Sequence, residues 1–372
     1  MRVGRWFHCL ASAALALAAG EAWSTSALEG DTAPLKVELQ LPAPTGASVA
    51  RIQLQRRGSS FVRLHLSGIA DAGDGDFVLS LKDGDFQERA SYRRADLAGL
   101  QELWTALIPG DTVIVELAAV DAANAPRIRF AVDSIMFENR GAKVLSIAGR
   151  DQRRWLIEYK EDSALQRAAA SVAKLVFVRE GGGYTCTGFM VSDSLMLTNR
   201  HCISTAAECR TAQAIFGYEL GEKNTLRTGP QHACQEVVKV GGPDLDYALL
   251  RLKGAPGRTF GKLVLKADVP AENAKLVMVQ HPYGEAKQVS REDCAIKTVS
   301  APSYESSRET DFGHTCDTLN GSSGSPMLNE KMEAIGLHHL GFDLSSRRWG
   351  RENRAVSIQF ILPLIEASLT AP

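Results

Sequence analysis

Residues 316–328 read CDTLNGSSGSPML, with three hydroxyls, Ser322, Ser323 and Ser325, inside four positions. Small residues packed this densely form either a plain turn or a turn that holds one serine out of its strand as a nucleophile. A serine hydroxyl attacks poorly at neutral pH unless an imidazole takes its proton. That imidazole must in turn be held in one tautomer by a carboxylate. Both partners stand upstream: LTNRHCI (197–203) sets His201 beside Cys202, and DLDYALLRL (244–252) leads into an apolar strand with Asp244 and Asp246. The order His, Asp, Ser argues against a nucleophile-elbow hydrolase, in which the serine comes first. The elbow's G-x-S-x-G would also need glycine at 325, where Ser325 stands.

The 372 residues are enough for two domains with separate cores. Forty-two basic residues against 43 acidic ones give a formal charge of −1, which removes the electrostatic reason to expect nucleic acid. Arg2 and Arg5 precede an apolar run from Trp6 to Ala19 that is too short to span a bilayer, and small residues follow it. This pattern predicts a secretory leader over 1–28, cut between about Ala19 and Leu28. Cys9 lies inside the apolar run, so no lipid anchor is expected, and no later segment is apolar for long enough to span a membrane. Export leaves six cysteines, at 186, 202, 209, 234, 294 and 316. An even number in an oxidising compartment predicts three disulfides in a secreted or periplasmic protein.

All six cysteines fall in the second half, which points to two domains. Residues 29–138 alternate with period two in short runs, at 49–55, 61–67, 77–84, 111–120 and 127–137, with turn signals such as DAGDGD and IPGD between them. Such spacing predicts a β-sandwich. It carries no chemistry: its one histidine, His65, reads as a packing or surface residue. A charged linker follows over 139–164. The rest, 165–372, opens with a short helical stretch (ALQRAAASVAKL), continues in strands and glycine turns, and closes with a strand running into an apolar-faced helix.

TCTGFMVSDSLMLTNRHC, DYALL and NGSSGSP together resemble the chymotrypsin/trypsin-like serine proteases, particularly the bacterial branch with the glutamyl and lysyl endopeptidases. The resemblance covers about residues 165–372. It implies an all-β fold, a two-barrel chymotrypsin-like protease domain preceded by the sandwich, acting on protein or peptide substrates without cofactor or metal. Carried over residue by residue, it makes His201 the general base, Asp246 rather than Asp244 its orienting carboxylate, and Ser323 the nucleophile, with the amides of Gly321 and Ser323 as oxyanion hole. It also implies a Cys186–Cys202 bridge, and with local spacing the pairs 209–234 and 294–316. In the pancreatic members an aspartate before the nucleophile pairs with a freed N-terminal amine; here that place holds Ser322.

For specificity, the resemblance offers two readings. Asp317, six residues before Ser323, stands where trypsin-like enzymes bind Lys or Arg, and the reading leans to a basic P1 residue. His338 and Thr318 match the pocket groups of glutamyl endopeptidases, which predicts an acidic P1. An Asp317–His338 pair would leave room for a small or apolar one. Adjacent His338 and His339 on a strand point to opposite faces and do not make a metal site. His281 reads as a structural turn residue. Two other functions stay open: an inactive protease-like binding protein, and an enzyme whose sandwich is an inhibitory pro-segment.

Overall fold

The computed structural model describes residues 27–42, 48–121, 126–138, 145–147, 150–268, 271–303, 306–342 and 352–370. The expected leader lies outside them as far as residue 26. The fold is all-β, as expected. Strands Val172–Arg179, Gln213–Ile215, Gln231–Val240, Ala248–Leu252, Leu195–Thr198 and Gly182–Met190 pair in that order, and the last pairs back with the first. This closes a six-stranded barrel. Its first hairpin turns through Glu180 and Gly181, both at positive φ (49° and 77°), the primed turn that matches strand twist. Leu175, Phe177, Met190, Met196, Leu250 and Leu252 fill it, with the Cys186–Cys202 and Cys209–Cys234 disulfides among them.

The second half is an eight-stranded antiparallel sheet. Its order is Arg154–Trp155, Gln288–Ser290, Val277–Gln280, Pro326–Leu328, Ala334–Leu340, Asn353–Ser357, Glu309–His314, Ile296–Pro302. Strand 334–340 is buried at all seven positions, which is why it reads as an apolar run broken only by histidines. Between the halves lies a core built from both, including Phe189, Leu249, Val279 and Leu337. The closing helix, Ile358–Thr370, puts Ile358, Ile361 and Ile365 into that core and so clamps the halves together. The third disulfide is Cys294–Cys316; all three bridges are the expected ones.

In residues 27–138 two sheets share one apolar core that includes Leu64, Leu66, Leu79, Val115 and Phe130. The four-stranded sheet has the order 49–55, 112–119, 77–82, 88–93. The other is not separate. Strand Ala27–Leu41 pairs with Ile128–Glu138 along most of its length, while its first residues pair with the barrel: Ala27 with Thr185, Leu28 with Tyr184, Gly30 with Gly183. Barrel and N-terminal strands thus form one eleven-stranded sheet. The expected linker is also folded on. Leu145–Ser146 pairs with Thr318–Leu319, Arg154–Trp155 pairs with Gln288–Val289, and Leu156 is in the central core. The expected helix is Ser163–Ala170, capped by Asp162 accepting from Leu165 N–H at 3.0 Å; from Val172 the chain is strand.

Arg63 seals this junction. Fully buried, it donates from Nε to Thr105 O (2.9 Å) and from Nη2 to Thr211 O (2.8 Å) across to the barrel. Gln231 reaches back with a paired contact to Leu107 N and O (2.9 and 2.7 Å). A barrel and N-terminal sheets so joined should unfold together. Arg63→Met strands the buried carbonyl of Thr105 and the part-buried one of Thr211 and should cost about 2–3 kcal/mol, read as one shifted transition by calorimetry. Two separate transitions, with only the N-terminal one moving, would contradict it.

Candidate active site

The strand Leu195–Thr198 ends at the base of a turn that carries His201. Three hydrogen bonds fix the turn on Asp246: Asn199 Nδ2 to the Asp246 carbonyl (2.8 Å), His201 N–H to Oδ1 (3.0 Å), and His201 Nδ1 to Oδ2 (2.6 Å). Both carboxylate oxygens therefore hold the same histidine, one through its backbone and one through its ring. Asp244 turns the other way and pairs with Arg308 at 2.7 Å. From behind, Arg179 donates to the carbonyls of His201 and Cys202 (2.9 and 2.7 Å) while its Nε bonds Glu208 (2.6 Å). Cys202 is bridged to Cys186, so the sulfurs beside the ring are a disulfide and offer no thiolate to a metal.

One neighbour was not foreseen. His339 sits with Nδ1 3.3 Å from Asp246 Oδ2 and Nε2 2.9 Å from Asp311 Oδ2. Burial would push this imidazole down, but Asp311 and Asp246 on either side outweigh it and raise it to about 10. Both nitrogens then donate, as an imidazolium requires. Asp246 shows the converse: burial would raise it, yet His201 and His339 hold it well below the usual carboxylate range. The alternation rule used to exclude a His338–His339 metal pair also explains this contact, because it sends the two side chains to different neighbours.

Ser323 stands in the buried turn between Thr318–Leu319 and Pro326–Leu328. Thr187, next to Cys186, ties that turn to the barrel: its N–H donates to Ser323 O (2.8 Å), and its hydroxyl donates to Gly321 O (2.9 Å) while accepting from His281 N–H (3.0 Å). Gly324 (φ +87°) permits the approach, since a Cβ there would fall 2.0 Å from Thr187 O. Gly321 (φ +89°) packs against the turn at 281–284, where a Cβ would fall 2.9 Å from Tyr283 N. Three amides of the turn are occupied within the fold: Ser322 to Leu319 O, Gly324 to His338 O and Ser325 to Ser322 O. Ser322 donates its hydroxyl to Gln280 Oε1 at 2.5 Å, and Gln280 Nε2 bonds Ser290 Oγ (2.7 Å) and Asp317 O (2.9 Å). A neutral chain thus fills the place of an activation ion pair. Gln280 was missed because it ends an apolar run.

The three expected pocket residues separate. The Asp317 carboxylate accepts the Gln152 N–H at 2.9 Å and lines a cleft of about 910 Å³ with Arg150, Gln152, Arg291 and Asp293. Thr318 is buried, and its hydroxyl meets no partner among the described residues. His338 Nδ1 lies 3.1 Å from His314 Nε2, and burial holds both imidazoles neutral, His314 down to about 3. His281 is a buried turn residue bonded to Glu285 O (3.1 Å), and His65 packs on Trp104 and pairs with Asp133 (2.7 Å).

Comparison with known proteins matches residues 158–346 to the family model described as lysyl endopeptidase, C-terminal domain. The chain is 26% identical over 331 residues to secreted RxLR effector protein 73 of Plasmopara viticola, covering 80% of each. It is 26% identical over 318 residues to lysyl endopeptidase of Pseudomonas aeruginosa, covering 77% of this chain and 67% of the other. Among solved structures, a Glu endopeptidase aligns at TM-score 0.44 and 19% identity over 60% of this chain and 100% of its own.

His339 gives a pH test. Its folded value is raised, so the stability it contributes is complete below about pH 6 and is lost as pH rises through about 10. The Tm of the native chain should fall more steeply between about pH 8.5 and 10.5 than that of His339→Gln; equal slopes would exclude the charged form.

Proposed function

The chain belongs to the lysyl endopeptidase C-terminal domain family, and from that premise we propose how it hydrolyses peptide bonds as a serine endopeptidase. Ser323 Oγ attacks the substrate carbonyl and its proton passes to His201 Nε2. The developing oxyanion takes the N–H groups of Gly321 and Ser323. The C–N bond breaks, the leaving amine takes the proton from His201, and a water deprotonated by the same imidazole hydrolyses the acyl-Ser323 ester. The observation that carries this reading is the double hold of Asp246 on His201, which presets Nδ1 as donor and leaves Nε2 the basic nitrogen. The reaction calls for no cofactor. Three disulfides and a relative named as secreted support export after cleavage of the leader.

On specificity, the pocket groups support the acidic reading over the basic one. The Asp317 carboxylate is engaged by the Gln152 amide on the cleft side. Thr318 and His338 contribute neutral donors, the former a buried hydroxyl without a partner among the described residues. A carboxylate entering that site meets the hydrogen-bond donors of Thr318 and His338, whereas a lysine would be desolvated against neutral groups.

Two experiments test the proposal. A fluorophosphonate probe should label the native chain and not Ser323→Ala, and the variant should lose at least about a thousandfold in kcat. Equal labelling removes Ser323 as nucleophile, and no caseinolysis by the native chain favours a binding protein. In a peptide library, cleavage after Glu that falls about tenfold or more in Thr318→Val supports the acidic pocket. Cleavage after Lys or Arg, abolished in Asp317→Asn, restores the basic one.

A further inference from the structure

We propose that Glu29 is a positioning residue for the oxyanion loop, so that the N-terminal strand is a working part of the active enzyme and not a segment shed on maturation; this rests on the serine-endopeptidase reading above. Glu29 lies where strand Ala27–Leu41 leaves its own sheet to pair with the barrel strand Gly182–Met190. Its side chain enters the protease interior and pairs there with Lys174, itself fully buried between the rings of Tyr218 (4.3 Å) and Phe61 (5.5 Å). Among the described residues Glu29 is the one carboxylate in ion-pair reach of Lys174; the nearby Lys287 has Glu219. The protease half therefore contains a buried cation whose counter-charge comes from the other half of the chain.

The carboxylate is seated against the turn Pro282–Gly284. A Cβ on Gly284 would lie 2.6 Å from Glu29 Oε1 and 3.0 Å from Oε2. This turn supports the loop that precedes the nucleophile. Tyr283 N–H donates to Asn320 O at 2.6 Å, and Gly321 packs so closely that a Cβ there would be 2.9 Å from Tyr283 N and 3.0 Å from His281 O. Tyr283 has φ of 51°, a conformation that a bulky residue keeps only where its surroundings impose it. Glu29 supplies that backing at Gly284, the next residue. Three contacts thus link the N-terminal strand to an amide that meets the oxyanion: Lys174 fixes Glu29, Glu29 bounds the turn, and the turn fixes Asn320–Gly321. A cut anywhere in 139–164 leaves them intact, because strand pairing and not the linker holds residues 27–31 in place.

The test compares the full-length native chain with Glu29→Gln, and with Glu29→Ala/Lys174→Met in case the single change leaves an unpaired cation that prevents folding. Read-outs are kcat and KM on one peptide amide, the Ki of a peptide aldehyde whose hemiacetal oxygen needs the oxyanion amides, and Tm. A folded variant with kcat down about tenfold or more, aldehyde binding weakened in parallel and KM within about threefold is the expected result. A folded variant with kcat within twofold of native overturns the proposal, as does a loss of KM and kcat together with a collapse in Tm, which marks a role in stability alone. A native chain that cleaves no peptide overturns the protease reading and this proposal with it.

Discussion

Asp246 is the joint on which the two halves of the protease meet. Its two oxygens receive the backbone N–H and ring of His201 from the first barrel and the ring of His339 from the second sheet. A carboxylate with donors from both sides sets the distance between the halves as well as the tautomer of one histidine. The arrangement is affordable because Asp311 and His339 continue it: anion, cation, anion, with the second anion almost fully buried. Taking one member away would leave a buried charge unpaired, which costs more than the intact pair contributes.

The parts of the site readable beforehand are those whose chemistry restricts residue type. A nucleophilic serine needs imidazole and carboxylate, so His201, Asp246 and Ser323 stand out by type, order and flanking cysteines. Asp311 and His339 do not. They lie on strands 309–314 and 334–340, which are separated in the sheet by 353–357, and no local pattern records a contact across an intervening strand. The five alternating runs foreseen in 29–138 correspond to strands, but Ala27–Leu41 was passed over. Gly30 and Pro34 interrupt its alternation, and its register shifts at both places. That one omission made the two halves look separable.

Ser322 and Gln280 show how the turn that carries Ser323 is set without charge. An activation ion pair is a switch because one partner arrives only after cleavage. The Ser322–Gln280–Asp317 chain has every member built into the protease half, and all its groups are neutral or main-chain. The turn is preorganised through ordinary hydrogen bonds, worth about 1 kcal/mol each and insensitive to pH across the working range. The adjacent Asn320–Gly321 segment instead leans on the turn at 281–284.

The pairing of Ala27 with Thr185 and of Gly30 with Gly183 also orders events in time. Strand Ala27–Leu41 finds its edge partner only after the chain has been made as far as Thr185. Contacts of such long range close slowly. Until they form, the N-terminal sheet exposes an unsatisfied strand end and the barrel holds an uncompensated lysine. The contact of the N-terminal strand with the turn at 282–284 therefore closes only late in the synthesis of the chain. For a hydrolase made in the same cell whose proteins it could digest, synthesis order is itself a safeguard.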